Sequence, residues 1–103
     1  MQFQELFDKA REIKKVYNET GKKQWGATEY TQGLVSDVGD LLKLVMAKNN
    51  FRDIENVDEK LKHELSDCLW ATMMIADELG IDLEKEFVKN MDQLKNRISS
   101  ENK

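Results

Sequence analysis

Proline is absent from this 103-residue chain, cysteine and histidine occur once each, and glycine only five times. Without proline, no helix need be stopped by a ring that lacks a backbone donor. Cys68, the lone cysteine, cannot close an internal disulfide, so a reducing cytoplasm is the expected setting. His63 has no second histidine or cysteine at ligand spacing, which excludes the usual zinc motifs. The Glu-x-x-His pair of carboxylate-bridged di-iron bundles is missing as well. The chain has no 18-residue apolar run and no basic segment leading into an apolar one at its start. The expectation is therefore a soluble, unprocessed, cytoplasmic protein with no membrane partner. An excess of positive charge is also lacking, the formal charge being −4. A general grip on nucleic-acid phosphates needs a basic surface, so no nucleic-acid partner is expected. A small phosphate ligand remains compatible with an acidic chain, because metal ions turn an acidic cluster into a phosphate site.

What is present is helical patterning over one domain, residues 1–103, since two separate cores in so short a chain would be too small to be stable. Phe3, Phe7, Ala10, Ile13 and Tyr17 recur at helical spacing and predict a helix over about 2–18, ending before Gly21. A second helix is expected over about 29–48, with Thr28 as its N-cap and Asn49-Asn50 closing it. A third, over about 57–79, has Asn56 as candidate N-cap, Glu59 placed to complete a capping box, and Gly80 placed for a left-handed cap. A fourth, over about 83–98, follows Asp82 and carries Glu84 and Glu86 in its first turn, where the helix dipole favours acids. Nothing demands a strand. The expected fold is an all-α, four-helix bundle-type protomer.

Cys68 to Ala76 runs for nine residues without a charge. That part of the third helix is apolar nearly all round and must be covered on more than one face. In a protomer this small the simplest cover is another copy. A homo-oligomer, dimer or tetramer, is expected to bury Trp70 and the neighbouring methionines.

The acids of the second and third helices repeat one pattern. Leu34, Asp37, Val38, Asp40, Leu41 and Leu61, Glu64, Leu65, Asp67, Cys68 both read apolar, acid, apolar, acid, apolar at the same offsets. At about 100° per residue each acid pair borders the apolar stripe, and residues three apart are neighbours on the helix surface. If the two helices pack together, four carboxylates converge. Their repulsion is relieved by protonation or by a bound cation. Mg²⁺ prefers oxygen ligands and bridges carboxylates to substrate phosphates. Ordinary solvated acids at a core boundary would give the same spacing, and spacing alone leaves both readings open.

The segments GLVSDVGDLLKLVMAK and HELSDCLWATMMIADELGIDLEKEF resemble the MazG-like all-α nucleotide pyrophosphohydrolases. That family carries an E-x-x-E pair in a "VGEL" context, an E-x-x-D pair after a variable spacer, and a downstream "GIDL" step. Here the pairs are Asp37/Asp40 and Glu64/Asp67, and the likeness spans roughly residues 25–98. The resemblance implies a Mg²⁺ site, with Mn²⁺ a possible substitute, built from Asp37, Asp40, Glu64 and Asp67. These residues are also the implied catalytic set. The implied reaction cleaves a nucleoside triphosphate between the α and β phosphates to give a monophosphate and pyrophosphate, in a role such as house-cleaning of the nucleotide pool. The chain departs from the family pattern in two ways. Ser36 stands where many members have a further Glu, and Asp replaces Glu at both positions of the first pair.

The segment FVKNMDQL resembles the last-helix region that meets substrate, which implies Asn90 and Lys89 as nucleotide-binding residues. Lys43 is a further phosphate candidate. Trp25 either stacks on a base or covers the core. Two alternatives to the enzyme are a metal- and nucleotide-binding sensor that has lost turnover, as Ser36 would suggest, and a helical dimerisation module.

Overall fold

In the computed structural model, which describes residues 2–21 and 24–101, four helices follow in order. They are α1 (Phe3–Thr20), α2 (Ala27–Lys48), α3 (Val57–Leu79) and α4 (Leu83–Glu101). Among the described residues there is no strand. None of the helices is long and apolar enough to cross a membrane.

The helix ends follow from local chemistry. At the end of α2, Asn50 takes the left-handed conformation (φ 66°). The N–H groups of Asn50 and Phe51 donate to Ala47 O and Met46 O, which satisfies carbonyls the helix leaves free. Gly80 does the same for α3 at φ 66°, with Ile81 N–H donating to Ala76 O at 2.9 Å. Two expected N-caps differ. Helix α2 starts at Ala27 after Gly26, so Thr28 lies inside its first turn. Asn56 precedes α3 in the left-handed conformation (φ 55°) and makes no capping hydrogen bond. Glu59 accordingly forms no capping box and accepts instead from Lys62 Nζ at 3.1 Å.

Helices α2 and α3 form the tightest pair, joined by residues 49–56 and therefore antiparallel. Helix α1 lies across α3. The core contains Phe7, Ala10, Tyr30, Met73 and Met74, with Phe3, Trp25, Trp70, Ile75 and Leu83 packed against it. A run of aromatic contacts links three elements. Tyr17–Trp25, Trp25–Tyr30 and Tyr30–Trp70 have ring centroids 5.6, 5.6 and 5.4 Å apart, two of them edge-on as ring quadrupoles prefer.

The charge-free stretch of α3 is thus covered largely from within the chain, which corrects the expectation that a second subunit buries it. Met73 and Met74 are 4% and 0% exposed. Trp70 is half-buried, and its Nε1 donates to Ala10 O at 3.1 Å. The apolar stripe of α1 also turns after Ala10. Ile13 and Tyr17 are exposed, and Lys14 faces α3 instead. The reason is the acidic pair opposite. Lys14 Nζ lies 2.8 Å from Asp77 Oδ2 and 2.6 Å from Glu78 Oε1, and Arg11 Nε donates to Asp77 Oδ1 at 2.8 Å.

Helix α4 packs closely on none of the other three and buries no side chain, so the protomer is not a closed bundle. Phe87, Val88 and Ile98 stay exposed along it. The radius of gyration is 16.7 Å, against about 13 Å for a compact chain of this length.

Burial by itself would raise the Asp77 carboxyl, but the hydrogen bonds and charges of Lys14 and Arg11 outweigh it and hold it below its ordinary value. An acid with a lowered folded-state value stabilises the fold at higher pH and loses that contribution as pH falls through the lowered value. Asp77→Asn should therefore cost about 1–2 kcal/mol at neutral pH and less at pH 3, where the carboxyl of the unfolded chain is largely protonated. Urea denaturation of both proteins at the two pH values checks this; equal losses at both would remove the ion pairs as the cause.

Candidate metal centre

The α2–α3 pairing decides which acids meet. One carboxylate oxygen from each of Asp37, Asp40 and Glu64 lies within 4.8 Å of the other two. Asp40 is exposed, whereas Asp37 and Glu64 are half-buried against the facing helix. Glu64 Oε1 is shut off from solvent and has no hydrogen-bond partner among the described residues. Burial pushes the Glu64 carboxyl above its ordinary value. Asp37, which accepts a hydrogen bond from its protonated form, adds to the push, and the charges of Asp40 and Asp67 act in the same direction. Cys68, one turn further, is also pushed up by burial and then by Asp37, Glu64 and Asp67, which disfavours its thiolate.

Four carboxylates were expected to converge, and three do. Asp67 stays outside the triad, 3.2 Å from His63 Nε2, with 44% of its side chain exposed. Three residues along a helix means a rise of about 4.5 Å and a turn of about 60° from Glu64. Asp37 and Asp40 share that offset and still meet Glu64, so what sets Asp67 apart is its contact with His63 on its own helix, although its charge still reaches Glu64.

The other expected residues divide. Lys43 lines an open recess of about 530 Å³ together with Asp40 and Glu64. Asn90 and Lys89 line a separate recess of about 400 Å³ with Leu83, Glu86, Phe87 and Gln93, all on α4, and share none of it with the triad. Trp25 takes the packing alternative: it lies half-buried among Tyr17 and Tyr30. Sequence reasoning missed Lys60, which lines the triad's recess from α3. A signal for it existed. Lys60 precedes Glu64 by four residues and Lys43 follows Asp40 by three. In an antiparallel pair those offsets lie on the same side of the acids.

An all-oxygen donor set with one buried, unpartnered carboxylate oxygen could hold a hard divalent cation. A cation there would offset the neighbouring acids' charges, which add to burial in raising Glu64. Comparison of the chain with protein-family models, with curated proteins and with solved structures returns no match. The geometry of the triad and the quoted segments are what any functional reading rests on.

The raised Glu64 carboxyl sets a sign. Such a group favours the fold at acid pH, and its contribution is lost as pH rises through the raised value. At neutral pH without metal, Glu64→Gln should then be at least as stable as the parent. If the triad holds Mg²⁺, the variant should also lose the rise in melting temperature that millimolar Mg²⁺ would give the parent. A ligand at a hundred times its Kd adds about 2.7 kcal/mol, which for a domain of this size corresponds to a rise of about 10–20 °C. Thermal melts with and without Mg²⁺ decide it, and a full Mg²⁺ response in the variant would remove Glu64 from the site.

Proposed function

We propose that the protein is a Mg²⁺-dependent nucleoside triphosphate pyrophosphohydrolase of MazG-like type. The observation that carries this reading is the meeting of Asp37, Asp40 and Glu64 across two helices, with Glu64 Oε1 buried and unpaired. Two ordered acid pairs, the Val38-Gly39 step and the Gly80-Ile81-Asp82-Leu83 step support it from the sequence.

Asp37, Asp40 and Glu64 would hold the ion, with Mn²⁺ an expected substitute. When bound, the ion supplies charge neutralisation for the phosphates and lowers the pKa of water. The residues of the chain do the rest. A water oxygen bonds to the α phosphorus while the bond to the α–β bridging oxygen breaks. The products are nucleoside monophosphate and pyrophosphate. Asp67, outside the triad and one turn from Glu64, is the carboxylate left to accept the water's proton. His63 Nε2, 3.2 Å from Asp67 Oδ2, would fix its orientation.

The same reading includes a homo-oligomer. The accessible surface is 8160 Å², against about 6000 Å² for a compact monomer of this mass. The surplus exceeds the roughly 800 Å² per partner of an ordinary stable interface. Val35, Val38, Leu42 and Val45 of α2, with Leu65 and Leu69 of α3, make an exposed apolar face. A second copy presenting the same face would close the hairpin into a four-helix layer.

Two measurements test the reading. A panel of nucleoside triphosphates with Mg²⁺ should yield monophosphate and pyrophosphate. Diphosphate and orthophosphate would place the cut at the γ phosphate and overturn it, and binding without products would favour the sensor. Sedimentation at micromolar concentration should give a dimer or larger species that Leu42→Lys disrupts, because an unpaired charge in an apolar interface is costly. A folded, active monomer would remove the assembly.

A further inference from the structure

The recess beside the triad has two unlike ends. Asp40 and Glu64 form one end; Lys43 and Lys60, one from each helix, line the same space, as does Glu59, whose carboxylate accepts from Lys62. Each lysine lies about one helical turn, or roughly 5 Å, from the triad acid on its own helix, Asp40 for Lys43 and Glu64 for Lys60. Because the helices are antiparallel, both lysines lie on the side towards the α2–α3 connector, which contributes Ile54 and Asn56 to the recess. Buried Leu44 and half-buried Ile54 give the recess an apolar floor. A charge is screened less there than in open water.

Neighbouring charges are already engaged. Lys48 pairs with Asp58 at 2.7 Å, Glu59 with Lys62 at 3.1 Å and His63 with Asp67 at 3.2 Å. Among the described residues, Lys43 and Lys60 form no ion pair. A recess with a cation-binding end and two unpaired ammonium groups one turn away suits a ligand that carries several phosphates in a row.

We propose that Lys43 and Lys60 bind the β and γ phosphates, the part of the substrate that leaves as pyrophosphate. This deepens the pyrophosphohydrolase reading and rests on it. It also orients the substrate. The polyphosphate end lies towards the α2–α3 connector, and the nucleoside extends past Asp37 and Asp67, away from both lysines. Triphosphates are then bound through their tails, and a monophosphate is released readily because it makes no contact with either lysine.

The test is titration calorimetry on the full chain with inorganic pyrophosphate and Mg²⁺, in the parent, Lys43→Gln, Lys60→Gln and the double variant. Both lysines are exposed, so the variants should fold as the parent does. Each substitution should weaken pyrophosphate binding and raise KM for the triphosphate about tenfold, the loss of one charge-assisted contact. Affinity for the nucleoside monophosphate should hold. Lys9→Gln on α1 makes the same charge change elsewhere and should alter nothing. A double variant that binds pyrophosphate as the parent does overturns the assignment, as does an equal loss of monophosphate affinity. A parent that binds Mg²⁺ and pyrophosphate through these lysines yet cleaves no triphosphate keeps the recess and removes the enzyme reading. Turnover with unchanged KM in the double variant does the reverse.

Discussion

Like charges brought together by packing are the constraint on which the site depends. Asp37, Asp40 and Glu64 meet because α2 and α3 bury their apolar stripes against each other, and the acids border those stripes. The folded chain therefore accepts a repulsion that the unfolded chain does not feel, and that repulsion adds to burial in raising the Glu64 carboxyl. Packing holds the acids in place against that repulsion. A preformed set of ligands needs little rearrangement to accept a cation, at the cost of a less stable metal-free state.

The helices were readable to within a few residues, because caps and apolar periodicity are local properties. Gly80 and Asn49-Asn50 end α3 and α2 as their backbone preferences require. The errors lie where a distant partner overrides the local pattern. Lys14 displaces Ile13 from the inner face of α1 because Asp77 and Glu78 stand opposite, 63 and 64 positions away in sequence. The candidate site shows the same division. Repeated spacing placed both acid pairs on one border each, but only the facing helix decides which acids meet, and Asp67 contacts His63 instead. Lys60 escapes notice for a related reason: its four-residue offset from Glu64 gains meaning only beside the offset of Lys43 from Asp40 on the facing helix. Asn90 and Lys89, taken from resemblance, lie in a recess apart from the acids within one chain.

Two kinds of contact divide the molecule. The α2–α3 pair is held by apolar packing along its length, with one ion pair, Lys48–Asp58, between the two helices near their connected ends. Helix α1 is joined to α3 by a narrower mixture: Phe7 and Ala10 in the core, the Trp70 indole on a backbone carbonyl, and the Arg11–Lys14–Asp77–Glu78 cluster. Electrostatic attachment of that sort depends on pH and salt in a way that apolar packing does not. The acid triad draws no residue from α1, although Tyr30, Met73 and Met74 of the two helices that carry it share one core cluster with Phe7 and Ala10.

The connector between α2 and α3 spans only residues 49–56. Short loops cost little closure entropy, and chains whose contacts are local in sequence fold fastest. The pairing that assembles the candidate site closes a shorter stretch of chain than the contact of α1 with α3: Asp40 and Glu64 are 24 positions apart, Lys14 and Asp77 63. Its entropic cost of closure is correspondingly the smaller of the two.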